Sequence, residues 1–349
     1  MKKNIAVILG GMSTEHEVSK VSGTAVLKKL NKEKYNIYPI YMSKEGNWFK
    51  YTKIKEEIEL GEDLQELEEI KDIWNYLKQM DVVFPVLHGL YGEDGTIQGM
   101  LELLKVPYVG PKVLGSSIGM DKVYTKIVFE KAQIPQAKYA YVRKYNDKFI
   151  YIDENFNERI CECKELAALI EQKINYPMFV KPSNSGSSVG INKAKNAEEL
   201  EEFINYAAQF DKKIVIEETL IGKEIECAVL GNEDVKASIL GEIKPAEEFY
   251  SFSAKYTNSE SKTEMPADIS EELTQKVRNY AIKAYKAIDG KGLSRVDFFV
   301  NTKTNEIFIN EINTIPGFTQ ISMYPKLWEK SGISYSELLD KLIELAINS

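Results

Sequence analysis

A chain of 349 residues has room for roughly two to three domains at about 150 residues each. Its 44% apolar and 28% charged content is that of a packed globular protein, and no segment approaches the ~20 uninterrupted apolar residues of a membrane span. A net charge of −8 argues against a nucleic-acid binder, whose footprint is basic, and Cys161, Cys163 and Cys227 can build neither a disulfide framework nor a Cys/His metal site. A reducing cytoplasm is therefore expected.

The N-terminus runs from Met1–Lys2–Lys3–Asn4 straight into an apolar strand pattern, Ile5 to Leu9. That is too short for a secretory signal. Gly10–Gly11 follows, then helical spacing from Ser19 to Leu30. Strand, Gly-rich turn and helix open an α/β sheet. Ile37 to Met42 predicts a second strand, and Asp81 to His88 another, ending at Gly89. In such sheets ligands collect beyond the carboxyl ends of strands, where Gly10–Gly11 and His88–Gly89 both fall. His88 begins the Gly-rich run His88–Gly89–Leu90–Tyr91–Gly92–Glu93–Asp94–Gly95, although a lone histidine is more often structural than catalytic.

A further unit starts near Lys122. Residues 135 to 175 mix strand and helix patterns around a charged insertion at Lys144 to Glu158. Tyr176 to Pro182 predicts a strand that closes on Lys181–Pro182–Ser183–Asn184–Ser185–Gly186–Ser187–Ser188–Val189–Gly190. Glycines let backbone N–H groups approach phosphate oxygens, and serines add hydroxyl donors. The run is not a Walker loop, because its lysine precedes the glycines; a flexible surface turn is the plain alternative. Lys213 to Glu218 and Ile225 to Leu230 predict two more strands. Between them, backbone groups after Glu217 could read an adenine edge and Glu224 could accept from ribose hydroxyls, or these acids are simply solvated.

Ala246 to Pro266 is polar, Ser-rich and long for a connection, so it is either disordered or a functional lid. Glu272 to Ile288 predicts an amphipathic helix, and Tyr335 to Ala346 a terminal one. Between them lie two apolar strands joined by a tight polar turn, Asn301 to Asn305. The first carries Arg295 and Asp297, and the second ends in Glu311–Ile312–Asn313. If the strands lie antiparallel, Asp297, Glu311 and Asn313 converge, and three hard oxygen ligands suit Mg²⁺ bound to phosphate. The plain alternative is a polar hairpin with exposed acids. Val296, Phe298, Ile307 and Ile309 weaken it, because a buried carboxylate is normally paired or bound to metal.

Together these segments resemble the D-alanine–D-alanine ligases of the ATP-grasp superfamily. The resemblance rests on Gly10–Gly11–Met12–Ser13–Thr14–Glu15–His16–Glu17–Val18–Ser19, the His88 to Gly95 run and the Lys181 to Gly190 loop. Ala254–Lys255–Tyr256, Ser294–Arg295–Val296–Asp297 and Asn313–Thr314–Ile315–Pro316–Gly317–Phe318–Thr319 complete it, in order from Ile5 to Leu345. It implies an ATP-grasp fold, α/β with α+β parts. The divisions expected are an N-terminal open parallel α/β domain over 1–122, a central subdomain over 123–212, and a C-terminal subdomain over 213–349 with its lid at 246–266.

The resemblance also implies a reaction. ATP phosphorylates one D-alanine, and the amine of a second attacks the acyl phosphate to give D-alanyl-D-alanine for peptidoglycan. By position, Asp297, Glu311 and Asn313 hold two Mg²⁺ ions, with Mn²⁺ able to substitute. Lys122 and Lys181 contact the α- and β-phosphates and Lys255 the γ-phosphate. Glu217, Glu218 and Leu220 line the adenine slot, and Glu224 meets the ribose. Glu17 pairs with the first substrate's ammonium and His88 lies near its carboxylate. Arg295 and the Gly317 N–H stabilise the oxyanion, and Ser322 binds the second carboxylate. Tyr256, hydrogen-bonded with Ser187 and Glu17, closes the site against water, which an acyl phosphate requires. A homodimer is expected, with no nucleic-acid or membrane partner.

Tyr256 argues against the lactate-forming relatives, which lack it. Met323, beside Ser322, argues against the serine-forming ones, which place a polar or basic residue there. An apolar pocket rejects an added hydroxyl only weakly, so some D-serine leakage is expected. The chain departs from common family patterns at Gln320–Ile321–Ser322, where Ser-His-Ser is frequent, and at Phe252, where tyrosine is frequent. The rival classes are another ATP-grasp ligase, which shares the phosphate machinery but not Glu17, Tyr256 or Ser322, and a nucleotide-binding module without turnover.

Overall fold

The computed structural model describes residues 2–55, 58–186, 189–244 and 262–349. Among these, the strands form three sheets, each with its own role in building the site. The first has the order β4-β3-β2-β1-β5. Its centre is parallel: β1 (Lys3–Gly10) lies between β2 (Tyr35–Met42) and β5 (Val82–Pro85). β3 (Trp48–Tyr51) and β4 (Leu67–Glu69) extend it as antiparallel edge strands. Residues 5–9 of β1 are fully buried, as befits a parallel strand covered on both faces. α1 (His16–Lys29) crosses from β1 to β2. Gly10 takes a left-handed φ of 94°, and a Cβ there would strike the Met42 carbonyl oxygen, so the strand-to-helix turn needs glycine. Downstream come α2 (Ile73–Leu77), α3 (Thr96–Leu104), α4 (Val113–Met120) and α5 (Lys122–Lys131).

The second sheet is antiparallel throughout, in the order β10-β9-β11-β6-β7-β8. It comprises β6 (Tyr139–Tyr145), β7 (Lys148–Ile152), β8 (Glu158–Cys161), β9 (Met178–Pro182), β10 (Asn192–Ala194) and β11 (Lys213–Glu218). α6 (Cys163–Glu171) and α7 (Ala197–Ala207) pack Leu166, Ile170, Leu200 and Ile204 onto it. Two expected boundaries move. β11, expected to open the C-terminal part, pairs with β9 and β6, so the central sheet runs through Glu218. Phe129 and Ile134 pack in the C-terminal core, so the chain enters the central unit only at β6, not at residue 123.

The third sheet has the order β14-β13-β12-β15-β16, again antiparallel. Its strands are β12 (Lys223–Leu230), β13 (Lys236–Lys244), β14 (Lys262–Glu264), β15 (Leu293–Asn301) and β16 (Glu306–Asn313). β13 pairs Lys244 with Lys262 of β14, so the expected lid leaves and returns on neighbouring strands. Residues 245–261 of that lid, with Phe252, lie outside the described residues.

α8 (Glu271–Ala287) covers one face of this sheet. Leu273, Val277, Ala281 and Ala284 recur at helical spacing and are buried, while Ser270 caps the helix by accepting from the Leu273 N–H. α9 (Met323–Lys330) and α10 (Tyr335–Ile347) lie elsewhere. Their Tyr324, Leu327, Leu338 and Leu342 share one apolar core with Ile5, Val7 and Phe84 of the first sheet. That shared core holds the N-terminal sheet against the C-terminal one and fixes the cleft between them.

Candidate active site

The metal-and-arginine wall forms where β15 and β16 meet. Register pairs Asp297 with Glu311 and Arg295 with Asn313, so all four sit on one face, as the two apolar strands and their polar turn predict. The next pair is Phe298 with Ile309, which leaves Asn310 as an extra residue. This bulge follows directly on Asp297, and bulges beside active sites re-aim side chains. On the other side, β12 sets Glu226 opposite Asp297.

Arg295 is largely enclosed here, with 17% of its side chain exposed. Its Nε donates to Asp297 Oδ1 at 2.7 Å, and Nη2 to Asp297 Oδ2 at 2.7 Å. Asn313 Nδ2 adds a 3.0 Å bond to Asp297 Oδ2, and Glu226 Oε2 lies 3.1 Å from Arg295 Nε. Burial pulls the guanidinium pKa down, but Asp297 and Glu226 together outweigh it and hold the group well above its ordinary range. Asp297, Glu311 and the Asn313 amide oxygen are hard donors on one face, a set that fits Mg²⁺. Among the described residues, no cluster of three His, Cys, Asp or Glu side chains is already drawn together as a cage.

A second cluster sits at the end of the central sheet. Glu217 is buried and pairs through Oε2 with Lys181 at 2.7 Å and through Oε1 with Lys126 at 3.1 Å. Burial pushes the Glu217 carboxyl up, but the two lysines outweigh it and bring the pKa to about 2. Asp121 caps α5 by accepting from the Val123 and Tyr124 N–H groups. It also accepts from Ser183 Oγ at 2.6 Å and pairs with Lys213 at 2.5 Å, tying the start of the Ser/Gly loop to that helix. Lys122 donates to the Ser185 carbonyl at 2.5 Å, so it lies against the same loop. The Glu218 carboxylate turns back to the Lys138 N–H at 2.7 Å. Its backbone N–H bonds the Lys138 carbonyl in return at 3.0 Å, at the end of β11, just before the Leu220 turn.

The N-terminal contribution corrects two expectations. The Glu17 carboxylate is taken up within the protein: it pairs with the buried Lys20 at 2.6 Å and with Lys44 at 3.2 Å, and accepts from the Gly61 N–H at 3.1 Å. Two residues apart, Glu15 and Glu17 cannot face the same way on a helix. Glu15 is buried at the N-cap of α1, about one and two turns before the buried Ser19 and Ser22. A Cβ on either Gly89 or Gly186 would strike Glu15 Oε2, so this carboxylate stands between the His88 loop and the phosphate loop.

His88 is also spent within the protein. Nδ1 lies 3.0 Å from the Ile315 carbonyl, which can only accept, so Nδ1 carries the proton. Nε2 then accepts from Ser22 Oγ at 3.0 Å, and Ser22 Oγ accepts from the Phe318 N–H at 3.2 Å. Burial lowers the His88 pKa and keeps the ring neutral. Glu93 grips the same segment, accepting from the Ile315 N–H at 2.9 Å and the Gly89 N–H at 2.9 Å. Burial, with Glu15 nearby, raises the Glu93 carboxyl to about 7.

That grip presents the turn after β16. A Cβ on Gly317 would lie 2.7 Å from Ser322 Oγ, so the expected oxyanion donor and second-carboxylate residue are neighbours. Ser322 Oγ accepts from the Thr319 N–H at 3.0 Å. Met323 is buried against Gly241 of β13 in the shared apolar core, while Ile321 is exposed. Ser187, Lys255 and Tyr256 lie outside the described residues. Sequence reading passed over Glu15, Glu93, Lys126 and Glu226. Nothing local marks them, because their partners come from other elements.

Comparison with known proteins identifies the family. Residues 4–111 match the family described as D-ala D-ala ligase N-terminus, and residues 128–344 the one described as D-ala D-ala ligase C-terminus. The chain is 52% identical to the D-alanine–D-alanine ligase of Clostridium acetobutylicum, with 99% of this chain and 98% of that protein covered. It is 49% identical to the enzyme of the same name from Acetivibrio thermocellus, over 99% of this chain and 96% of the relative. Among solved structures, the VanG D-Ala:D-Ser ligase of Enterococcus faecalis superimposes with a TM-score of 0.84 at 39% identity, covering 99% of this chain and 100% of that one. The Coxiella burnetii D-alanine–D-alanine ligase gives 0.79 at 34% identity, covering 99% and 94%. The chain belongs to the D-alanine–D-alanine ligase family.

Proposed function

We propose that the protein ligates two molecules of D-alanine, at the expense of ATP, to give D-alanyl-D-alanine for peptidoglycan synthesis. The observation that carries this reading is the continuity of one wall. Arg295 and Asp297 on β15 lead through Asn313 on β16 to the Gly317–Ser322 turn, which supports a reading with phosphoryl and second-substrate contacts side by side. A carboxylate oxygen of the first D-alanine attacks the γ-phosphorus and ADP departs. The amine of the second then attacks the acyl carbon, and phosphate leaves as the oxyanion collapses.

In this reading Lys181 and Lys122 draw the nucleotide phosphates to the Ser/Gly loop, and Glu217, Glu218 and Leu220 border the base, with Glu224 at the ribose. Asp297, Glu311 and Asn313 hold two Mg²⁺ ions, or Mn²⁺ in their place, which when bound neutralise charge on the transferred phosphoryl group. Arg295 and the Gly317 N–H face the developing oxyanion, a task for fixed donors. We assign the ammonium contact of the first D-alanine to Glu15 rather than Glu17, because only Glu15 lies between the two loops. His88 keeps the Ile315 segment in place, and Ser322 takes the second carboxylate. Lys255, Tyr256 and Ser187 complete γ-phosphate binding and closure. A homodimer working in the cytoplasm, where ATP is supplied, completes the reading.

A second reading is supported by the resemblance to the D-Ala:D-Ser ligase: D-serine as the second substrate. Against it stands Met323, whose thioether offers a serine hydroxyl only a weak acceptor. Phosphate release with ATP and single amino acids tests the reaction class. Absence of D-alanine-dependent release would refute the proposal.

A further inference from the structure

Glu226 has no part in the scheme above, yet it is a buried carboxylate on the site's face of β12. Register sets it opposite Asp297, which in turn faces Glu311, so three acids cross β12, β15 and β16 in one row. The only guanidinium among them is Arg295, one pair further along β15 and opposite Ala228. Its Nε carries a single N–H, and that hydrogen is spent on Asp297 Oδ1 at 2.7 Å. Glu226 Oε2, 3.1 Å from the same nitrogen, is therefore held by charge and not by an aligned hydrogen bond. It is the second acceptor within reach of that hydrogen.

Asp297 has two claims on its oxygens: Arg295 in this structure, and the cation its position suits. When Asp297 turns to another partner, a buried guanidinium needs a replacement or it drifts from its place. We propose that Glu226 is a positioning residue: it keeps the Arg295 guanidinium aimed at the reaction centre by taking up the Nε–H as Asp297 is drawn away. Glu226 touches neither nucleotide nor amino acid in this account and acts only through Arg295. The inference rests on the ligase reading above.

The test is Glu226→Gln, which keeps shape and removes charge, assayed in an enzyme whose wild type forms the dipeptide. A wild type that forms none would remove the ligase reading, whereas the variants bear on Glu226 alone. Misplacing a reacting group by about an ångström can cost about 100-fold, so kcat should fall about 10- to 100-fold while KM for ATP and D-alanine moves less than about threefold. In an Arg295→Lys background the same substitution should cost less than about threefold, because residues that act through one another are not additive. Glu226→Asp, with its charge retained but set back, should fall between wild type and Glu226→Gln, and it serves where the glutamine variant does not fold. In metal-free protein labelled with ¹⁵N-arginine, the Arg295 Nε resonance, identified by its loss in Arg295→Lys, should shift in Glu226→Gln while the β15 amide signals stay in place. A kcat within threefold of wild type, an undiminished loss in the Arg295→Lys background, or an unmoved Nε resonance would each overturn the assignment.

Discussion

The two charged clusters of the site are built with opposite balances. At the end of the central sheet, two lysines, Lys126 and Lys181, share one buried carboxylate, Glu217. On the C-terminal sheet, one arginine stands beside a row of three acids, Glu226, Asp297 and Glu311. The first cluster has cation to spare, and the second has carboxylate to spare. In the proposed reading an anionic nucleotide would be drawn to the first and its divalent cations to the second, so the pair would set the direction of a metal–nucleotide complex. Neither cluster could be inverted alone without leaving a buried charge unpaired. Glu93 sharpens the contrast. It is desolvated like Glu217 but is met mainly by backbone N–H groups and no lysine, so its carboxyl rises to about 7 where that of Glu217 falls to about 2.

The most severe break is Arg295→Ala. Loss of one oxyanion donor costs about 100- to 1000-fold in kcat. The same change leaves Asp297 and Glu226 without their cation, so the melting temperature should drop as well. Near-normal kcat in this variant would contradict the role given to Arg295. On the lysine-rich side, Lys181→Met should raise KM for ATP about 10- to 100-fold, the worth of one charge-assisted contact, with a smaller change in KM for D-alanine. Equal changes in both constants would mean the cluster does not divide nucleotide from amino acid.

Between the clusters stands Glu15. Glu15→Gln should raise KM for the first D-alanine by about tenfold or more, whereas Glu17→Gln, altering the pairing with Lys20 and Lys44, should change it less than about threefold. Steady-state titration of D-alanine separates the two, and the reverse order would return the ammonium to Glu17. The smallest expected effect concerns Glu93. Its folded-state pKa of about 7 lies above the unfolded value of 4.5, so the folded protein binds the proton more tightly. Stability from this group is thus unaffected below pH 4.5, declines as pH rises from 4.5 to 7, and stays reduced above. In Glu93→Gln that decline should be missing from the pH dependence of the melting temperature. A profile parallel to wild type across this window would show that Glu93 is not the titrating group.

Much of this arrangement was legible in the sequence. The β15–β16 hairpin, its convergent Asp297, Glu311 and Asn313, the Ser/Gly loop after Lys181 and the helix at 271–287 all follow from local patterns of alternation, turn chemistry and helical spacing. What stayed hidden depends on distant partners. β11 reads as a strand, but only its pairing with β6 and β9 reveals which sheet owns it. β13 shows little alternation because most of it is buried on both faces. The bulge after Asp297 is a matter of register, which composition does not record. Lys126 lies in a helix far along the chain from Glu217, and Glu226 looked like one more strand acid until β15 was set beside it.

The central claim is tested most directly by identifying products when ATP, Mg²⁺ and D-alanine are supplied together with equal D-serine and D-lactate. The account predicts D-alanyl-D-alanine as the main product, with one phosphate released per dipeptide and at most minor D-alanyl-D-serine. A predominance of D-alanyl-D-serine or of the D-lactate ester, or phosphate release independent of D-alanine, would contradict it.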